Sequence, residues 1–220
     1  MYKNINLHRI SAPLLLLLLL FQPTTLLAQK VIESSGQSAG FRFAADNTLS
    51  EPVIHYRQNV HMLAVTDDMP SVKIFGDGRV LVHYPVYMKK AGDYEMQLSD
   101  KELADLLQGM SGNGIIDFEE NKVKQQMRDE KKSARLRGEL YAVSDAVETS
   151  IVINLDEYQK NPSSPKIKNL KKHFRWENIE HDASRYRNSK EIVRANDSVS
   201  QLKNLMKDQR LLKKGQHLKS

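Results

Sequence analysis

An α+β domain, an antiparallel sheet around a β-hairpin packed against two or three helices, is the fold this sequence predicts. Three observations point to it. Gly76-Asp77-Gly78 is flanked by alternating apolar residues, and Ser99 with Glu102 opens an amphipathic stretch. Runs of strand-like sequence are followed by helical ones, without regular strand–helix–strand alternation. The 220 residues are 40% apolar and 27% charged, a globular composition at a length that suits one domain with tails. The absence of cysteine excludes a disulfide scaffold, a thiolate metal site and a cysteine nucleophile.

The chain opens with Lys3 and Arg9, then Ala12-Pro13, an unbroken run Leu14 to Leu20, and Phe21. Polar Gln22-Pro23-Thr24-Thr25 and then Leu26-Leu27-Ala28 follow. Positive charge, apolar run and small residue come in the order of a secretory signal peptide, so 1–28 is read as a signal cut near Ala28. The run is far shorter than the ~20 residues a bilayer span needs. The expected destination is the bacterial periplasm or the medium, with no transmembrane segment after cleavage.

Residues 29–51, with Ser34-Ser35-Gly36-Gln37-Ser38-Ala39-Gly40, read as a flexible leader. The folded domain is placed at 52–212 and a polar tail at 213–220. Val53 to Val65 is β-branched and aromatic and stops at Asp67-Asp68-Met69-Pro70. Val72 and Ile74 alternate toward the Asp-Gly turn, and Val80, Val82 and Tyr84 alternate away from it, a hairpin pattern. Tyr94, Met96 and Leu98 continue the alternation. From Ser99 a helix is expected with Leu103, Leu106, Leu107 and Met110 on one stripe, ending at Gly112-Asn113-Gly114. Residues 119–138 are charged around Val123, Met127 and Leu136, a solvated helix or an excursion. Thr149 to Leu155 reads as a strand, Asn161 to Pro165 as a loop, and Trp176 as the anchor of a basic segment. A last helix is expected from about Asp197, capped by Asn196 and Asp197, with Val199, Leu202 and Leu205 on one face. Asn196-Asp197-Ser198 also fits a glycosylation acceptor, which is idle in most bacterial settings.

Several motifs resemble chemistry without its context. Gly36-Gln37-Ser38-Ala39-Gly40 has the spacing of a hydrolase nucleophile elbow but lacks the strand and helix that would lift the serine. Residues 109–120 align with a calcium loop, offering Ser111, Asn113, Asp117 and Glu120, yet the first ligand position is Gly109. His55, His61, His83, His173, His181 and His217 form no short pair of the kind that holds zinc. No catalytic residue, cofactor or metal is assigned.

Charge is divided unevenly. Residues 29–120 carry 8 basic and 14 acidic side chains, and residues 121–220 carry 23 and 13. Either the halves face each other, or the basic half meets an anionic partner. The residues proposed for such a surface are Lys122, Lys124, Arg128, Lys131, Lys132, Arg135, Arg137, Lys168, Lys171, Lys172 and Arg175. Nucleic acid is disfavoured, because Phe174 and Trp176 are the main aromatics among them.

Val72-x-Ile74-Phe75-Gly76-Asp77-Gly78-Arg79-Val80, Leu98-Ser99-x-x-Glu102-Leu103, Gly114-Ile115-Ile116-Asp117-Phe118 and Ser144-Asp145-Ala146 carry a further signal. Together they make the chain resemble a type of uncharacterised exported bacterial protein. The resemblance implies a shared fold and transfers no catalytic residue. The expected function is a non-enzymatic binding module of the cell envelope, with an envelope protein, an anionic lipid surface or a polysaccharide as partner. A secreted or periplasmic hydrolase, its site assembled from distant residues, is the alternative, and calcium binding through 109–120 is the second.

Overall fold

A computed structural model describes residues 28–45, 51–60, 68–139 and 146–215. The expected signal peptide, His61 and the end of the strand toward Val65, Asp67, Ser144-Asp145 and His217 lie outside these residues. The elements in order are β1 (Gln29–Ile32), β2 (Gly40–Ala44), β3 (Ile54–Val60), β4 (Ser71–Ile74), β5 (Arg79–Tyr84) and β6 (Gly92–Gln97). There follow α1 (Asp100–Gly112), α2 (Glu120–Leu136), β7 (Val147–Gln159), β8 (Ile167–Glu177), α3 (Ile179–Arg185), α4 (Lys190–Leu205) and β9 (Leu212–Lys213). The fold is α+β, with an antiparallel sheet packed against helices.

β7 is the spine of the sheet. β8 pairs along one of its edges, from Glu148 opposite Glu177 to Tyr158 opposite Ile167. The other edge is shared end to end: β3 takes 147–153 and β2 takes 157–159. β4, β5, β6 and β9 extend the sheet beyond β3. Leu155 and Tyr158 are both buried although three apart, so β7 changes face at Asp156–Glu157. Opposite that point Asn169 takes a left-handed φ of 51°, a local distortion of the bulge type.

Alternation in the strands sorts the two faces. Ile54, Tyr56, Val72, Ile74, Val80, Val82, Ile151, Ile153, Phe174 and Trp176 are buried. Their neighbours His55, Arg57, Lys73, His83, Ser150, His173 and Arg175 face the open side. The apolar face is covered by Leu103, Leu107 and Met110 of α1 and by Ile192, Ala195, Val199 and Leu202 of α4. The Asp-Gly hairpin has the expected pairing, Val72 with Val82 and Ile74 with Val80. Gly78 supplies the positive φ of its turn, 89°. The capping box of α1 is present: Ser99 Oγ accepts the Glu102 N–H at 3.3 Å, and Glu102 Oε2 accepts the Ser99 N–H at 2.8 Å.

The expected leader at 29–51 is corrected by β1 and β2. Gly36-Gln37 is the turn of a β-hairpin, and Phe41 and Phe43 are buried. Phe41 packs on Tyr158 with ring centroids 5.8 Å apart. Gln108 on α1 clamps Ala39 from both sides, accepting its N–H at 3.0 Å and donating to its carbonyl at 2.7 Å. Ser38 therefore sits at a strand–turn–strand junction, without the helix a nucleophile elbow requires.

Trp176 anchors its basic segment in the core, as expected, at 3% exposure; the segment is an edge strand, β8, whose charged residues are a common protection against edge pairing. Two further expectations are corrected. The last helix starts at Lys190 and not near Asp197; Ile192 and Ala195 extend its buried stripe backward and leave Asn196-Asp197 mid-helix. Lys213, expected in the tail, pairs with Tyr94.

Gly76 carries the close approach between the two hairpins. A Cβ there would lie 1.8 Å from the Ala44 carbonyl oxygen and 2.9 Å from Phe43 Cδ2. Gly76→Ala is expected to destabilise the domain by ~1–3 kcal/mol, the usual cost of overpacking. Urea unfolding monitored by circular dichroism checks this; an unchanged midpoint would contradict the packing of β2 on the turn.

Candidate functional site

Two regions bring chemistry-bearing side chains together: a cleft between α2 and α3, and the open face of the sheet.

The cleft is built on the aromatic residues of β8. Phe118, just before α2, meets Phe174 edge-on with centroids 5.1 Å apart and Trp176 at 5.7 Å. Lys172 Nζ donates to the Phe118 carbonyl at 2.7 Å, fixing the chain that enters α2. Val123, Met127 and Ala134 are the buried side of that helix. On the far side Asn178 turns β8 into α3 through a left-handed φ of 56°, its Oδ1 accepting the Val147 N–H at 2.9 Å. Asp182 then accepts the Trp176 indole N–H at 2.9 Å and receives His181 Nδ1 at 3.5 Å. The result is a cleft of about 400 Å³ between two helices, floored by Trp176.

Lys124, Arg128, Lys131 and Arg135 line one wall. Their spacing of four, three and four residues puts them on one face of α2, a row of about 16 Å at 1.5 Å per residue. Arg185 contributes from α3, against Glu139, Glu177 and the engaged Asp182. Lys124 is paired with Glu120 at 2.5 Å and lies 5.5 Å from the Trp176 ring centroid. Arg128 is held by the neutral Gln125 side chain at 2.6 Å. Among the described residues no carboxylate forms an ion pair with Arg128, Lys131 or Arg135.

The other residues of the sequence-derived basic set go elsewhere. Lys122 lies on the opposite flank of α2, near Lys160 and Arg194. Lys132 is exposed, and Arg137 pairs with Glu139 at 3.0 Å. Lys171 pairs with Glu51 at 3.3 Å and Arg175 with Glu148 at 3.6 Å, while Lys168 contributes to the field around Glu157. Lys172 is structural, through its bond to Phe118. Thus four of the eleven share one wall, and sequence reasoning missed the α3 residues that complete the cleft.

The calcium-loop expectation is corrected by four separate engagements. Residues 109–112 are still α1, so the chain has not left the helix where a first ligand would stand. Ser111 Oγ meets Tyr158 OH at 2.9 Å in the core, and Asn113 Nδ2 donates to Ser198 at 3.3 Å. Asp117 pairs with Lys160 at 2.8 Å and Glu120 with Lys124. The Ile115, Ile116 and Phe118 plug is buried.

On the open face, Ser150 Oγ lies 3.0 Å from His173 Nε2, beside His55, Arg57 and Glu148 in a concavity of about 210 Å³. This is a hydroxyl–imidazole pair, but β7 is paired on both edges around Ser150. Its amides are spent on the ladder, which leaves none beside Ser150 for an oxyanion. Farther along the same face His83 is gripped on both sides, by Asp68 at 2.6 Å and Asp93 at 2.7 Å. Burial opposes its charge, yet these two carboxylates outweigh it and raise its pKa above 6.5.

Comparison with protein-family models, with curated proteins and with solved structures gave no match to this chain.

His55 has the opposite environment to His83. Burial, then Lys73 and Arg57, push its pKa down from 6.5 to about 4. The unfolded chain therefore binds a proton at this position that the folded one refuses between those values. His55's contribution is complete above pH 6.5 and lost as pH falls toward 4. His55→Gln is expected to reduce the loss of stability over that window, measured by urea unfolding at a series of pH values. Parallel curves for variant and parent would contradict the assignment.

Proposed function

We propose that this chain is an exported, non-enzymatic binding module of the bacterial cell envelope, and that its α2–α3 cleft takes a linear anionic polymer, an acidic polysaccharide in the first place. The observation that carries this reading is the row Lys124, Arg128, Lys131 and Arg135 along one wall of a concave cleft. Successive cations are about 5–6 Å apart along a helix, a repeat suited to regularly spaced carboxylates or phosphates. A concave site favours a chain over a flat bilayer. Trp176 and Tyr186 are 3% and 7% exposed, so they offer no stacking platform for bases, which weighs against single-stranded nucleic acid.

The N-terminal pattern of residues 1–28 supports export, as does the resemblance of the hairpin and helix-start motifs to exported proteins. Charge asymmetry supports the same reading. Lys160–Asp117, Lys171–Glu51, Arg210–Glu102 and Lys124–Glu120 pair the two halves, while among the described residues Arg128, Lys131 and Arg135 of the α2 row stay outside such ion pairs. The backbone amides around Ser150 are spent on the ladder, which favours binding over hydrolysis.

Polygalacturonate binding at about 20 mM salt, where surface charges are weakly screened, provides the test. Isothermal titration of the mature chain is expected to show binding that weakens steeply with salt. Arg128→Glu/Lys131→Glu/Arg135→Glu should lower affinity at least about tenfold, while Lys122→Glu on the opposite flank changes it little. Absence of heat at low salt, or equal loss in both variants, would overturn the assignment of the cleft.

A further inference from the structure

A second surface stands at the other end of the sheet. The loop joining β5 to β6 carries Val86, Tyr87 and Met88 in succession, and they are 81%, 47% and 37% exposed. Isolated exposed apolar residues need no explanation, but three in a row at one loop tip do. Lys89 and Lys90 follow directly and are exposed. β9 adds to the same corner. Lys213 reaches over Gly92, the Lys214 N–H donates to the Asp93 carbonyl at 2.8 Å, and Leu212 is 57% exposed.

The loop is held out by polar bonds at its base. The Val86 N–H donates to Asp68 Oδ2 at 2.9 Å, and the Met88 N–H closes a turn onto the Pro85 carbonyl at 2.9 Å. Asp68 in turn grips His83, which grips Asp93. The carboxylates at the base engage His83, and the exposed Lys89, Lys90, Lys213 and Lys214 bring four positive charges to the same corner. An apolar tip ringed by lysines matches the boundary between anionic headgroups and acyl chains. Apolar side chains enter the hydrocarbon edge, a tyrosine sits at headgroup level, and lysines meet the phosphates.

We propose that the β5–β6 loop is an interfacial anchor that inserts Val86, Tyr87 and Met88 into an anionic bilayer surface, with Lys89, Lys90, Lys213 and Lys214 binding its headgroups. This surface shares no residue with the α2–α3 cleft, so it stands or falls independently of the polymer-binding reading. One short loop gives reversible binding, with insertion limited to the headgroup region.

The test uses vesicles of phosphatidylcholine with about 30% phosphatidylglycerol, and of phosphatidylcholine alone. A Tyr87→Trp variant of the mature chain, with Trp176 as the unchanged second reporter, is expected to shift its emission to the blue on anionic vesicles only. Brominated acyl chains should quench the shifted emission. In co-sedimentation, Val86→Asp/Met88→Asp should weaken binding to anionic vesicles at least tenfold, and Lys89→Glu/Lys90→Glu should abolish the preference for them. The α2 charge reversals should leave vesicle binding unchanged. No emission shift on anionic vesicles, or binding lost through the α2 reversals and not through the loop variants, overturns the proposal. Circular dichroism of each variant verifies that the domain is folded, and the exposure of these positions makes that the expected result.

Discussion

The aromatic contact between Phe118, Phe174 and Trp176 is the interaction on which the charged half of the molecule depends. α2 buries Val123, Met127 and Ala134 out of 17 residues, too little for an isolated helix to hold its place in water. Its position is imposed from outside. The two rings of β8 receive Phe118 edge-on, Lys172 ties the Phe118 carbonyl, and Trp176 reaches across to Asp182 of α3. One cluster thus fixes both walls of the cleft, and the row of cations gains a defined partner wall instead of lying on a free helix.

The sheet sets the rest. β7 is the only strand among those described that pairs with three others, and its divided edge lets the N-terminal hairpin and the central hairpin meet at Gly76. All described helices lie with the apolar face, so the opposite face is left to polar side chains. Histidine on that face behaves as its neighbours dictate. Burial, with Lys73 and Arg57, lowers the pKa of His55, while Asp68 and Asp93 outweigh burial and raise that of His83. Identical side chains two strands apart on one face are therefore shifted in opposite directions.

Much of the architecture was legible in the sequence where local chemistry is specific. Asp-Gly between alternating flanks marked the β4–β5 hairpin, and Ser99 with Glu102 marked the start of α1. Legibility failed where composition masked periodicity. Ser and Gly between Ser34 and Gly40 concealed the Phe41-x-Phe43 alternation of β2. Lysines concealed Leu170, Lys172, Phe174 and Trp176, alternate residues on the inner face of β8. Asn196 and Asp197 imitated a cap and hid that Ile192 and Ala195 continue the stripe of Val199 and Leu202 into α4. For the cleft, the cations of α2 were evident as letters. Their opposing wall was not, because α3 is seven residues fixed by tertiary bonds to Trp176 and Val147 that have no local signature.

α2 is a packed helix held by the aromatic contact, and native-state hydrogen exchange checks this residue by residue. Amides from Val123 to Ala134 should be protected in the unsubstituted protein. Trp176→Leu should strip that protection while the β4–β5 hairpin keeps its own. Exchange of the α2 amides at free-chain rates in the unsubstituted protein, or α2 protection that survives the substitution, would contradict it.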